Sequence, residues 1–240
     1  MCIRDRSRTR LRPVASSVLF AALAVTLVPL AYLFSVSLMG RDETVSGVLW
    51  SAAPHWENWG DVLSTDIPRS ILNSLAAALG GAAVSLVIAV PGAWAIVRHN
   101  AGGRTLAATL MSPWLLPPIV AVVPLLTLLR SVGLNNTLLG LTLVYALVNV
   151  PVAVWLLEGF IRRLPVEIEE AARIDGAGTL RMLWSVVVPL LLPSLVAIGI
   201  IVAILNYNEF LLATFLTQSV DSQTFPVALS LFYGLSLIHI

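Results

Sequence analysis

Lysine is absent from this 240-residue chain; all 14 basic residues are arginine. A phosphate-binding loop that ends in Gly-Lys-Ser/Thr therefore has no lysine to offer, and ATP hydrolysis by this chain is not expected. The one cysteine, Cys2, excludes an internal disulfide and a cysteine-based metal cluster. His55, His99 and His239 are far apart and share no metal-ligand spacing, so no metal and no cofactor are expected. Charge is scarce too: charged residues make up 11% of the chain, against about 25% in soluble domains. The net charge of +1 gives no sign of a nucleic-acid partner.

What the chain has instead is long apolar runs. It is 58% hydrophobic, with a mean hydropathy of +0.91. Five segments carry no charge: Pro13 to Gly40, Ser70 to Val97, Thr105 to Leu129, Ser131 to Leu157 (of which Thr137 to Leu157 spans) and Met182 to Asn208. Each exceeds the roughly 20 residues that cross a bilayer as a helix. A sixth run opens at Phe225 and stops at Ile240. The first run is too long for a signal peptide and lacks a small-residue cleavage site, so it reads as an uncleaved span. The fold class is an all-α polytopic membrane bundle, with five clear spans and the start of a sixth. Residues 1–12 form a basic tail, and residues 13–240 a single transmembrane domain.

Arginine placement orients the spans. The segments assigned to the inside hold five, two and four arginines, the last four being Arg162, Arg163, Arg173 and Arg181. The outside segments hold Arg41, Arg69 and Arg130. Eleven against three places the N-terminus inside, because basic loops stay on the cytoplasmic face.

Three features within the spans have two readings each. Trp50, Trp56 and Trp59 in the first outside loop suit anchoring at the headgroup level, or contact with a substrate. The third run holds Pro113, Pro117, Pro118 and Pro124, which no single regular helix tolerates. It is either a pathway-lining broken span or a structural kink. Asn206, Asn208 and Glu209 interrupt the apolar pattern near the outer end of the fifth span. If the span extends to about Phe215, Glu209 lies within the bundle near its outer side; the three are candidates for a transport pathway or substrate contact, or for packing between helices. In the second span AAALGGAA forms a small-residue surface, which lets helix backbones approach closely.

The stretch from Leu164 to Pro193 is a charged loop that is built like folded structure. Pro165 stands where a helix starts, with Glu167, Glu169 and Glu170 in the first turns, where carboxylates favour the N-terminus. Gly176 is placed to end that helix. A second short helix from about Thr179 leads into the fifth span. A helix-turn-helix facing water between spans suits docking better than tethering.

EEAARIDGAG followed by VVVPLLLP resembles the EAA loop of inner-membrane permease subunits of binding-protein-dependent ABC importers. Glu170, Ala171, Ala172, Asp175, Gly176 and Ala177 match that motif, and Val188-Pro189 stands where the family has Leu-Pro. Asn73-Ser74-Leu75, the stretch Gly133–Pro165, NYNEFLLATFLT and TFPVALSLFYG resemble the carbohydrate-uptake branch, in particular the maltose-type second permease. The resemblance covers roughly residues 14–234 and implies a coupling loop at residues 164–188, which docks on a separate cytoplasmic ATPase subunit dimer. Glu169, Glu170, Ala171, Ala172, Asp175, Gly176 and Ala177 would form that ATPase-coupling interface. It further implies a second permease subunit in a heterodimer, an extracytoplasmic solute-binding protein and a multi-pass place in a bacterial-type cell membrane. No residue of this chain is expected to be catalytic.

The family has six spans, whereas Leu235 to Ile240 and Met1 to Arg6 do not continue its pattern, so a truncated chain with foreign ends is expected. An importer for another solute, such as a polyamine, stays open within the class. A secondary transporter would show inverted repeats and paired intramembrane charges; neither is found. An intramembrane enzyme would need two catalytic residues at one depth, and no such pair stands out.

Overall fold

In lipid a backbone has no water to bond, so each uncharged run satisfies its own peptide groups by becoming helical. The computed structural model describes residues 7–238 except 52 and 116. Cys2, Arg4, Arg6, His239 and the ends expected to be foreign at residues 1–6 and 239–240 lie outside the described residues. Every regular element among the described residues is a helix. Two compact units, residues 1–65 and 66–240, divide the chain.

The first unit holds α1 (Ser7–Ser37), α2 (Arg41–Ser46) and α3 (Glu57–Leu63). Residues 15–34 of α1 are exposed all round, as in a helix whose neighbours are lipid or another chain. Its end is closed by Asn58, whose side-chain amide donates to the carbonyls of Ser37 at 3.2 Å and Met39 at 3.1 Å. Trp50, Trp56 and Trp59 are all exposed.

The second unit is built on α4 (Ile67–His99), α7 (Leu138–Ile161) and α10 (Val188–Tyr207). The small-residue surface read in the second span is the contact face of α4. Ala77, Gly81, Ser85, Ala89 and Ala93 recur every fourth residue and are all buried. That stripe brings α4 against α7 so closely that a Cβ on Gly81 would stand 3.0 Å from Cβ of Tyr145 and 2.9 Å from Nδ2 of Asn206. Ser85 adds a hydrogen bond across the contact, donating to the carbonyl of Ala146 at 2.8 Å.

Gly80 meets Thr142 and Gly92 meets Val154, so α4 and α7 run parallel. The chain between them must therefore return from one end of the bundle to the other. It does so in pieces: α5 (Gly103–Met111), a 3₁₀ turn at Ser112–Leu115 and α6 (Ile119–Ser131). The break falls at Pro113, Pro117 and Pro118, whereas Pro124 is absorbed inside α6. Among the described residues, four helices are long and apolar enough to cross a membrane by themselves: residues 15–37 of α1, α4, α7 and the continuous stretch Thr179–Tyr207. The expected third span thus differs in form, because its prolines remove too many donors for one helix.

At the fifth span the helix already begins at Thr179 as α9 (Thr179–Met182) and passes through a π-helical stretch, Leu183–Val187, into α10. It stops at Tyr207, close to the end of the uncharged run at Asn208. A separate helix, α11 (Leu211–Leu216), follows, and α12 (Phe225–Ile238) closes the unit.

Candidate functional site

The charged turn folds as α8 (Val166–Ile174) followed by a tight reversal. Pro165 caps the helix from outside with ψ 129, and Glu167 and Glu169 fall in the first turn. Its C-terminus closes with two reciprocal backbone bonds: the N–H of Ala177 donates to Ala172 at 2.9 Å, and that of Gly176 to Arg173 at 3.0 Å. This pairing needs a left-handed residue between helix and exit. Gly176 supplies it with φ +83, and no heavy atom would crowd a Cβ there, so the backbone angle alone demands glycine.

The seven residues expected at the coupling interface do not share one face. Glu170, Ala171, Asp175 and Gly176 are exposed, and Ala172 and Ala177 are half-buried. Glu169 is buried, at 4% exposure. Its Oε1 accepts from Nε of Arg98 at 2.7 Å and its Oε2 from Nε1 of Trp94 at 3.1 Å. Arg98 also donates from Nη2 to the carbonyl of Leu164 at 2.8 Å. The carboxylate expected on the docking surface is therefore spent inside the chain, on the last turns of α4. Two residues that the sequence reading passed over lie on the exposed side. Ile174 and Leu180 are 87% and 73% exposed, one on each side of the reversal. Apolar side chains in a charged, water-facing turn were the available signal.

Asn206, Asn208 and Glu209 are adjacent in sequence but go to three different tasks. Asn206 is buried; its Nδ2 donates to the carbonyl of Ala78 on α4 at 3.1 Å. Its Oδ1 accepts from Nδ2 of Asn149 on α7 at 2.7 Å, so one amide joins three helices. Glu209 starts α11: its carboxylate oxygens accept from the N–H of Leu212 at 2.9 Å and of Ala213 at 3.1 Å. Negative charge at orphan N–H groups is favourable, which suits the start of a new helix just past the end of the fifth span. The hydroxyl of Tyr145 donates to the backbone carbonyl of Glu209 at 3.1 Å. Asn208 is exposed.

Asn208 and Tyr207 stand at one end of an open groove of about 560 Å³ between α4 and α10. The rest of its lining is apolar, with Leu79, Leu86, Val196 and Ile200 among the residues that form it. At the end of the bundle away from α8, Asn73 donates to the carbonyls of Asp221 at 3.1 Å and Gln223 at 3.0 Å. Asn136, in a left-handed conformation with φ 55, accepts from the N–H groups of Gln218 at 2.7 Å and Ser219 at 3.0 Å. No three His, Cys, Asp or Glu side chains gather into a metal site among the described residues.

Comparison with known proteins adds a family to this geometry. The model of the binding-protein-dependent transport system inner membrane component matches residues 81–238, which include α8 and its reversal. A putative ABC transporter permease protein of Streptomyces antibioticus is 40% identical over 70% of this chain and 74% of its own length. The trehalose transport system permease protein SugB of Mycobacterium tuberculosis is 33% identical over 88% of this chain and 77% of its own length. The melibiose/raffinose/stachyose import permease protein MelC of Bacillus subtilis is 29% identical, over 86% and 76%. Among solved structures, a bacterial ABC transporter involved in the import of the acidic polysaccharide alginate superposes with a TM-score of 0.75. That match has 25% identity and covers 97% of this chain and 82% of the other.

Proposed function

We propose, from the premise that the chain belongs to the family of binding-protein-dependent transport system inner membrane components, that it is the permease subunit of an ATP-driven importer of sugars or oligosaccharides. It is a multi-pass protein of the cell membrane. The sugar class follows the relatives named for trehalose and for melibiose, raffinose and stachyose.

One observation carries the coupling role. The α8 reversal offers Glu170, Ala171 and Asp175 to water on a turn that Gly176 holds in shape, with the exposed Ile174 beside them. A carboxylate followed by two alanines permits close approach to a partner helix groove and a charge-assisted bond to a basic group there. The partner is a separate ATPase dimer, and a chain without lysine leaves ATP hydrolysis to it. A loaded solute-binding protein meets the opposite face, and a second permease completes the pathway in the bilayer. Closure of the ATPase dimer moves α8, and the cavity between the two permeases alternates its opening. Each ligand acts by its differential affinity for the two states. Asn208 and Tyr207, at the end of the α4–α10 groove, are this chain's polar candidates for lining that pathway. Asn206 and Glu209 hold the helices that form it.

Reconstitution with the ATPase and the solute-binding protein tests the class: ATP hydrolysis rises only with a sugar-loaded binding protein. Gly176→Pro tests the dock. Proline fixes φ near −65°, far from the +83 this turn requires. The variant is expected in the membrane but without co-purifying ATPase. A variant that keeps its ATPase and transports normally removes the docking role from this turn.

A further inference from the structure

Of the carboxylates in α8, Glu169 is the one that docking leaves unexplained. It is buried, yet it sits beside Glu170 in the segment where a partner would bind. Both of its oxygens are committed to α4, to Arg98 at 2.7 Å and Trp94 at 3.1 Å. Trp94 and Arg98 are four residues apart and so lie on one face of the final turns of α4. Arg98 makes a second bond, to the carbonyl of Leu164 at 2.8 Å, just ahead of the helix. Three bonds thus clamp the first half of α8 to a helix that is distant from it in sequence. The covalent route out of α8 differs. It passes through the reversal at Gly176, then α9, then the π-helical stretch Leu183–Val187 before α10 becomes regular. Widened ladders of this kind interrupt regular helical bonding.

The far end of α4 is tied as well. Asn73 holds the carbonyls of Asp221 and Gln223, Ser74 Oγ accepts from the N–H of Phe225 at 2.7 Å, and Arg69 pairs with Asp221 at 2.6 Å. α4 is a continuous helix of 33 residues, about 50 Å at 1.5 Å per residue. One helix therefore connects α8 with the loop of residues 218–223 at the other end of the bundle.

We propose that Glu169, Arg98 and Trp94 form a joint that passes movement of α8 directly to α4, and through it to the loop of residues 218–223. These are positioning residues, because none of them faces the partner. The inference rests on the permease reading, which supplies the movement. It assigns Glu170 and Glu169 opposite tasks: one meets the ATPase, the other delivers its displacement.

The test uses the whole transporter in proteoliposomes, with its ATPase and its solute-binding protein loaded from a mixture of trehalose, melibiose and raffinose. Glu169→Gln removes the charge while keeping an oxygen for Trp94. It is expected to retain the ATPase in the purified complex while stimulation of hydrolysis by the loaded binding protein falls at least tenfold. The exchange Arg98→Glu with Glu169→Arg is expected to recover part of that stimulation, which a merely space-filling role would not do. If Glu169→Gln does not accumulate in the membrane, Arg98→Lys, which keeps the charge but not both bonds, takes its place in the same assay. Full stimulation in Glu169→Gln or Arg98→Lys, or no recovery in the exchange, overturns the proposal. Loss of the ATPase from their complexes overturns it too, since the pair then builds the dock. Failure of the permease reading itself is seen separately, as an unaltered chain that neither retains an ATPase nor shows stimulated hydrolysis.

Discussion

The two ends of the second unit close on the same helix, α4, with opposite chemistry. At the α8 end the tie is ionic and buried: the side chains of Arg98 and Glu169 are 11% and 6% exposed. At the other end the tie is mostly neutral and spread out. Asn73 and Ser74 of α4, with Asn136 of the turn between α6 and α7, hold peptide groups of the loop and of the start of α12. The ion pair there, Arg69–Asp221, has both side chains more than half exposed. A buried pair is costly to leave half-made, because the remaining charge has neither partner nor water. Neutral bonds are each worth less and can give way one at a time, although Asn73 and Ser74 are themselves buried and only the Asn136 bonds lie at the surface. The difference implies a stiff end and a yielding end on one rod. Under the proposed docking of the ATPase at α8, the stiff end is the one that must transmit force.

Substitutions at the two ends measure that contrast. Arg98→Ala has the largest expected effect, a loss of about 3–5 kcal/mol from the uncompensated Glu169 carboxylate. Thermal unfolding of the purified chain in detergent reads it, and a loss near 1 kcal/mol would mean that water reaches the pair and the end is not stiff. Asn136→Ala comes next. It removes the acceptor for Gln218 and Ser219 and a residue type that tolerates φ 55, at a cost of about 1 kcal/mol. Faster amide exchange confined to residues 217–223 is expected; exchange that also rises in α8 would erase the distinction between the ends. Arg69→Gln is the smallest, within about 0.2–1 kcal/mol because exposed pairs are screened and hydrated. Its effect should vanish in 0.5 M salt, and a larger, salt-independent loss would show that this pair too is effectively buried.

Much of this architecture is legible in the residues. Charge-free runs mark the spans, since lipid excludes charge, and the prolines of the third run foretell its division into α5 and α6. Gly176 has the left-handed φ that its place after a helix requires. What periodicity does not carry is which carboxylate of Glu167, Glu169 and Glu170 turns inward. That depends on where the end of α4 arrives, a contact between residues 71 positions apart. The same holds for Asn206. Its partners Ala78 and Asn149 come from two other helices, so the sequence leaves a polar residue in a span open to either pathway or packing. Glu209 turned on a local matter that hydropathy does not register: two N–H groups at the start of α11 compete for it against continuation of the span.

The account stands most directly on which end meets the ATPase. In a Cys2→Ser background, single cysteines are placed at Ile174, exposed beside the α8 reversal, and at Val220, exposed in the opposite loop. A bifunctional thiol–amine cross-linker is added to membranes that contain the assembled transporter. Position 174 is expected to give a product containing both the ATPase and this chain, and position 220 none. No ATPase product from position 174, or one from position 220, would contradict it.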